Sequence, residues 1–219
     1  MTFKLSPSGL KLLEECPRCF WLTQHKLWKR PLGPFPSLPS GMDRILKNHF
    51  NKFRDKGELP PELCENSHCK DMKLFDDKTL LNEWQNNLGG ISWTDNKGNI
   101  FFGAVDNILQ KGKKLIVLDY KTRGFPLKED TAGYYKDQLD VYNFLLRKNG
   151  YETEDFAFLL FYIPKEVIET GEFVFDTELV KMKVDVKNAQ KIINRALEIL
   201  NGDCPEKNDC EWCEGAENG

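Results

Sequence analysis

Hydrophobic and polar positions along this chain follow two periods, and the switches between them mark out the elements. From Phe101 to Thr122 the sequence reads FFGAVDNILQKGKKLIVLDYKT, two apolar, β-branched runs around a short Lys-Gly turn. That pattern predicts a hairpin. The second run, Leu115 to Leu118, is apolar on both faces, as in a covered central strand. Phe156 to Ile163 reads as another buried strand, stopped by Pro164, and the alternation at Phe173 to Phe175 and Val180 to Val186 predicts a more exposed hairpin.

Helical periodicity fills the rest. Ser6-Pro7-Ser8 is a helix start with proline near the first position, followed by an apolar stripe of Leu10, Leu13, Phe20 and Trp21. Met42, Ile45, Leu46, Phe50 and Phe53 share one face of a helix over 41–56, and His49 falls on that face. Further helices are expected around 78–88, over 134–146, and through Ala189, Ile192, Ile193, Ala196, Leu197 and Leu200 to an end near Gly202. Residues 31–40, with four prolines, read as a loop.

Polar residues interrupt the apolar runs where chemistry could sit. The central strand finishes in Asp119-Tyr120-Lys121, and Asp106 lies in Ala104-Val105-Asp106 on the expected partner. Strand side chains alternate, so Asp119 and Lys121 share a face and Tyr120 points away. A two-residue loop at Lys111-Gly112, or a four-residue loop from Gln110 to Lys113, sets residue 106 opposite residue 117. Asp106 is then one diagonal step from Asp119; an odd-length loop without a bulge separates them. Two carboxylates offer a hard-cation site for Mg²⁺ or Mn²⁺, with Lys121 beside it to stabilise phosphoryl charge. A structural Asp-Lys ion pair at a strand end is the alternative. On the following helix Gln138 and Tyr142 are four apart and share a face.

The order GAVD, DYK, QLDVY resembles the PD-(D/E)XK nucleases, and within them the RecB-like exonuclease branch. The resemblance implies an α/β fold with a restriction-endonuclease-like core, a central mixed β-sheet flanked by helices. It implies Asp106 and Asp119 as metal ligands with the Tyr120 backbone carbonyl, Lys121 as the catalytic lysine, and Gln138 and Tyr142 as a supporting pair that contacts the DNA strand. RecB-like enzymes often place a metal-binding His on a preceding helix close after a glycine. His49 is the candidate, although its distance from Gly41 exceeds that pattern and a His on an apolar face also suits a core. The implied activity is Mg²⁺- or Mn²⁺-dependent hydrolysis of DNA, single-stranded or with a free end, in repair, recombination or CRISPR-type processing. The alternative is a non-cleaving binding or interaction subunit on the same fold. No P-loop occurs, so unwinding would come from a partner such as a helicase, and an integrase is another expected partner.

Composition narrows the picture. At 219 residues the chain fits one domain: an N-terminal helical part (1–56), a catalytic core (99–163), and a C-terminal hairpin, helix and Cys segment (164–219). There is no run of eighteen apolar residues and no signal-peptide pattern at Met1, so a cytoplasmic protein without membrane contact is expected. A net charge of −3 means any nucleic-acid surface must be local. The stretch from Arg18 to Arg30, with His25, Lys26 and Lys29 between Trp21 and Trp28, could be such a surface or a solvated helix face.

Seven cysteines in a chain without a secretory signal argue for metal rather than disulfides. Cys16-Pro17-Arg18-Cys19 and Cys210-Glu211-Trp212-Cys213 stand near opposite ends, and two C-x-x-C pairs can bind one Zn²⁺ or one iron–sulfur cluster. Such a Cys metal site would join the two ends of the chain. Cys64, His68 and Cys69 lack a fourth partner nearby and read as a loop with free thiols. Several RecB-like nucleases, including CRISPR-associated ones, hold a [4Fe-4S] cluster with one Cys before the core and three after it. Cys16 resembles that first ligand. The trailing order here departs from theirs, because Cys204 precedes the C-x-x-C pair and none follows it. The fourth ligand therefore lies between Cys19 and Cys204. The symmetry of the two pairs favours Cys19, and Zn²⁺ remains the alternative.

Overall fold

The computed structural model describes residues 1–213. The chain opens with β1 (Lys4–Leu5) and helices α1 (Pro7–Glu15), α2 (Pro17–Gln24) and α3 (Ser37–Lys56). A one-turn helix α4 (Pro61–Cys64), β2 (Lys73–Leu74) and α5 (Lys78–Trp84) lead to β3 (Ile91–Thr94) and β4 (Ile100–Gly103). The remainder is β5 (Asn107–Lys111), β6 (Lys114–Thr122), α6 (Lys136–Lys148), β7 (Phe156–Val167), β8 (Phe173–Lys183) and α7 (Val186–Asn201).

Local chemistry sets the helix ends. The Ser6 hydroxyl accepts from Gly9 N with Pro7 at the first turn of α1, and Asp185 accepts from Lys187 N at the start of α7. Gly57, at φ +70°, closes α3 in the left-handed conformation that glycine adopts without strain. This helix starts at Ser37, earlier than the proline pattern predicts. Pro39 falls in its first turn, where a missing N–H has no intrahelical acceptor to lose.

Five strands form a mixed sheet in the order β2-β5-β6-β7-β8, parallel only between β6 and β7. Period two then splits β6 and β7 between two cores. Leu115, Val117, Leu159 and Phe161 pack with residues of α1, α6 and α7 on one face. Ile116, Leu118, Tyr120, Phe158 and Leu160 pack with Leu46 and Phe50 of α3 and Leu63 of α4 on the other. The result is a helix–sheet–helix sandwich, the α/β arrangement expected, with β6 covered on both sides.

Several sequence expectations are corrected. Phe101–Gly103 is not an arm of the hairpin; β4 belongs to a separate three-stranded sheet, β1-β4-β3. The chain leaves that sheet at Ala104-Val105, and Asp106 sits in a bend just before β5. The hairpin loop is Gly112-Lys113, with Gly112 at φ +58°, as a two-residue hairpin turn with glycine first requires. Pro164 does not stop β7. It lies beyond the last residue paired with β6, where β7 borders β8 alone, and a register shift follows between Pro164 and Glu166. The alternation over 173–186 is one strand, β8, paired with β7 rather than a hairpin of its own. Helix α5 ends at Trp84 rather than near Leu88. Among the described residues no helix is long and apolar enough to cross a membrane.

Candidate active site and cysteine centre

The last pair of the β5–β6 ladder is Asn107 with Leu118, so the next position outward sets Asp106 against Asp119. The parity is the one that places both carboxylates on one face, with the pair directly opposite rather than diagonal. A hydrogen bond from Tyr120 N to Asp106 Oδ2 (2.8 Å) fixes the Asp106 side chain across the end of the ladder. Asp119 is buried, and its Oδ2 faces the Lys121 ammonium as an ion pair without hydrogen-bond geometry.

Helix α6 completes this face. Gln138 Nε2 donates to Asp119 Oδ1 (3.3 Å) and to the Tyr142 hydroxyl (2.7 Å), while its Oε1 accepts from Lys121 Nζ (3.4 Å). Lys121 also lies over the Tyr135 ring, 4.5 Å from its centroid. Tyr142 fits because residue 103 is glycine: a Cβ there would stand 2.6 Å from Tyr142 Cε1. Four of the five residues singled out from sequence, Asp119, Lys121, Gln138 and Tyr142, thus form one contact network, and Asp106 joins it through the Tyr120 backbone N–H.

Its electrostatics are strained. Burial, then the charge of Asp119, pushes the Asp106 carboxyl up to about 7. Burial raises Asp119 as well, with Lys121 pulling the other way. For Lys121, burial opposes the charge, but Asp119 and Asp106 outweigh it and hold the ammonium. Two facing carboxylates balanced by ammonium groups suit a hard divalent cation, which would relieve the same repulsion.

Helix α3 contributes residues that sequence reasoning missed. Lys47 Nζ bridges Asp43 Oδ2 (2.9 Å) and Asp106 Oδ1 (3.8 Å). A cavity of about 240 Å³ between Asp43, Leu46, Tyr120 and Lys121 opens beside them. The only signal for this in the sequence is the Asp43–Lys47 spacing of four, common on any solvated helix. His49 points elsewhere: its Nε2 meets Glu62 Oε1 at 3.0 Å and its ring packs edge-on against Phe53. Tyr120 presents its backbone to the site and its hydroxyl to Asn107, which donates at 2.5 Å. On the α6 side a groove of about 930 Å³ runs past Gln138 and Tyr142, lined also by Lys11, Phe102, Tyr134 and Lys136.

The two C-x-x-C pairs meet beyond the C-terminal end of α1. The sulfurs of Cys16, Cys19, Cys210 and Cys213 all lie within 4.8 Å of one another, the one such metal-holding group among the described residues. Cys16 to Cys213 is 3.5 Å and Cys19 to Cys210 is 3.8 Å. Burial pushes the Cys19 thiol up to about 12, so a cation must offset the charge for it to ionise. Cys204 stands outside this set and accepts from Arg18 Nη1 at 3.5 Å. Arg30 reaches Cys210, and Trp21 stacks on His25 and donates to Gly202 O. The basic, aromatic stretch from Arg18 to Arg30 is therefore largely occupied in holding the C-terminal segment. Cys64 is exposed and Cys69 buried, each without a disulfide.

A model of the PD-(D/E)XK nuclease superfamily matches residues 79–217, and the chain belongs to that superfamily. Its members are usually hydrolytic nucleases that use a divalent metal and act on nucleic acid. Among solved structures, the crystal structure of SSO0001 is similar, with a TM-score of 0.46 at 13% identity over 97% of this chain and 84% of that one. No curated protein matches the chain.

Proposed function

We propose that this protein is a Mg²⁺- or Mn²⁺-dependent DNA nuclease of the RecB-like branch, with the related CRISPR-associated exonucleases as its functional analogues. The observation that carries the reading is the Asp119–Lys121–Gln138–Tyr142 network at one end of a covered sheet, with Asp106 held beside it by the Tyr120 backbone N–H. Asp106 and Asp119, with the Tyr120 carbonyl, would hold the divalent cation, which when bound supplies Lewis acidity toward a phosphate oxygen. The Lys121 ammonium, kept charged by the two carboxylates, stabilises negative charge gathering on the phosphoryl group. Gln138 orients Lys121 and Asp119 together, and Tyr142 holds Gln138 in place. Lys47, rather than His49, is the α3 residue beside this pair, so His49 drops out of the proposed ligand set.

The groove beside α6 supports a single-stranded or frayed-end substrate. Tyr134 offers an exposed face for base stacking, and Lys11 stands in the lining as a cation among Glu14, Asp130 and Asp137.

The test is cleavage of end-labelled single- and double-stranded DNA with Mg²⁺, Mn²⁺ or EDTA. Lys121→Ala and Asp119→Ala are expected to lower the rate by at least about a hundredfold, the usual size of losing a group that stabilises transition-state charge. DNA binding and the unfolding midpoint should persist. Wild-type rates in either variant would sink the assignment. DNA binding without metal-dependent turnover in the wild type would favour a non-cleaving binding subunit instead.

A further inference from the structure

The four-cysteine centre does not fit the iron–sulfur cube that resemblance to RecB-like nucleases suggests, and the disagreement is informative. In a cube each thiolate binds a separate iron at an outer corner, with sulfide and the other irons filling the middle. Four sulfurs within 4.8 Å of one another leave no space for that core. A single tetrahedral ion makes a different demand. With metal–sulfur bonds of about 2.3 Å, a zinc ion spaces its thiolates about 3.8 Å apart. Two of the six sulfur pairs, Cys16–Cys213 at 3.5 Å and Cys19–Cys210 at 3.8 Å, match that spacing, and the others lie within 4.8 Å.

We propose that Cys16, Cys19, Cys210 and Cys213 hold one Zn²⁺ as a closed Cys₄ site, with Cys204 outside the ligand set. The surroundings suit four thiolates around one dication, a unit of net charge −2. Cys19 N donates to Cys16 Sγ (3.4 Å), the backbone N–H to sulfur contact of a tight C-x-x-C turn. Arg30 Nη2 donates to Cys210 Sγ at 3.2 Å and brings a full positive charge. Asn208 Oδ1 accepts from the Cys16 thiol (3.2 Å) and the Cys213 thiol (3.4 Å), and with the carboxamide turned over its NH₂ would donate to both sulfurs once they are ionised. Cys16, Cys19 and Cys213 are buried, which closes the site to a fifth ligand and marks it as structural. Zinc has no accessible redox step, so the ends of this chain would be joined by a clamp indifferent to oxidation state at the metal.

The assignment is independent of the nuclease reading, since its readout is metal content. The full chain, expressed with both iron and zinc available and purified without oxygen, is expected to be colourless and to carry one zinc per chain without acid-labile sulfide. Replacing the zinc by Co²⁺ should produce the intense visible bands of a tetrahedral thiolate site. Cys204→Ser should keep its zinc and Cys19→Ser should lose it. If Cys19→Ser does not fold, Cys64→Ser/Cys69→Ser/Cys204→Ser, which keeps only the four site thiols, should release one zinc as those four react with a thiol-reactive mercurial. A brown protein with four irons and four sulfides, a single bound iron, or zinc lost equally from Cys204→Ser would each overturn the proposal.

Discussion

At the scale of single residues, one atom's absence shapes the site. Gly103 has ordinary backbone geometry, so its role is space: the Tyr142 ring occupies the volume a Cβ would fill. Gly103→Ala should therefore push Tyr142 and, through its hydrogen bond, Gln138 away from Lys121. The expected result is a rate of DNA cleavage at least about tenfold lower, with an overpacking cost of ~1–3 kcal/mol in urea unfolding. An unchanged rate would show that Tyr142 has no part in placing Gln138. The pairing of glycine with tyrosine across 39 positions leaves no local signature in the sequence; GAVD was legible as a motif, while the reason for its glycine was not. Lys47 belongs to the same class of hidden residue. Nothing in its own helix tells that it, and not His49 two positions on, faces Asp106.

At the scale of elements, the site depends on α3 being docked against the end of β5. The buried Arg54 of α3 donates from Nε to Phe75 O (2.6 Å), from Nη2 to Asn107 Oδ1 (2.5 Å), and to Asn51 within its own helix. Asn107 in turn donates to the Tyr120 hydroxyl, so one chain of hydrogen bonds spans helix, β5 and β6 on either side of Asp106. Burial lowers the Arg54 pKa, and no carboxylate forms an ion pair with it among the described residues. Arg54→Leu would remove the Phe75 carbonyl's side-chain donor and leave Asn107 Oδ1 with the Ile108 N–H alone, at a cost of roughly 1–3 kcal/mol in chemical denaturation. A loss under about 0.5 kcal/mol would mean that the network carries no stability. Periodicity located α1, α3, α6 and α7 and the central strands because each buries a continuous stripe or face. It failed where a short run serves a different sheet. Phe101–Gly103 has the composition of a hairpin arm, but its partners β1 and β3 come from distant sequence.

At the scale of the whole molecule, with Zn²⁺ bound as proposed, Cys16, Cys19, Cys210 and Cys213 would tie α1 and α2 to the segment after α7, closing a loop from residue 16 to residue 213. Restricting so long a loop in the unfolded state stabilises by about 5 kcal/mol in the chain-entropy picture. Ligand bonds that form only in the folded state add to this. Chelation of the bound metal in the wild type should therefore lower the thermal midpoint by more than about 8 °C, given the usual 2–4 °C per kcal/mol at this size. A midpoint unmoved after verified metal loss would show that packing of α1, α6 and α7 alone holds the ends together.

The sequence by itself determined the helix–sheet–helix class, the strand that carries Asp119 and Lys121, the shared face of Gln138 and Tyr142, and the two C-x-x-C pairs. Each is written in short-range spacing, since periods of 2 and 3.6 fix which side chains share a face. Tertiary structure decided which face meets which. It chose Cys19 over Cys204, Lys47 over His49, and a Gly112-Lys113 turn that sets Asp106 directly against Asp119. Those choices rest on contacts between residues far apart in the chain, and on spacings of a few ångströms that a pattern of letters does not contain.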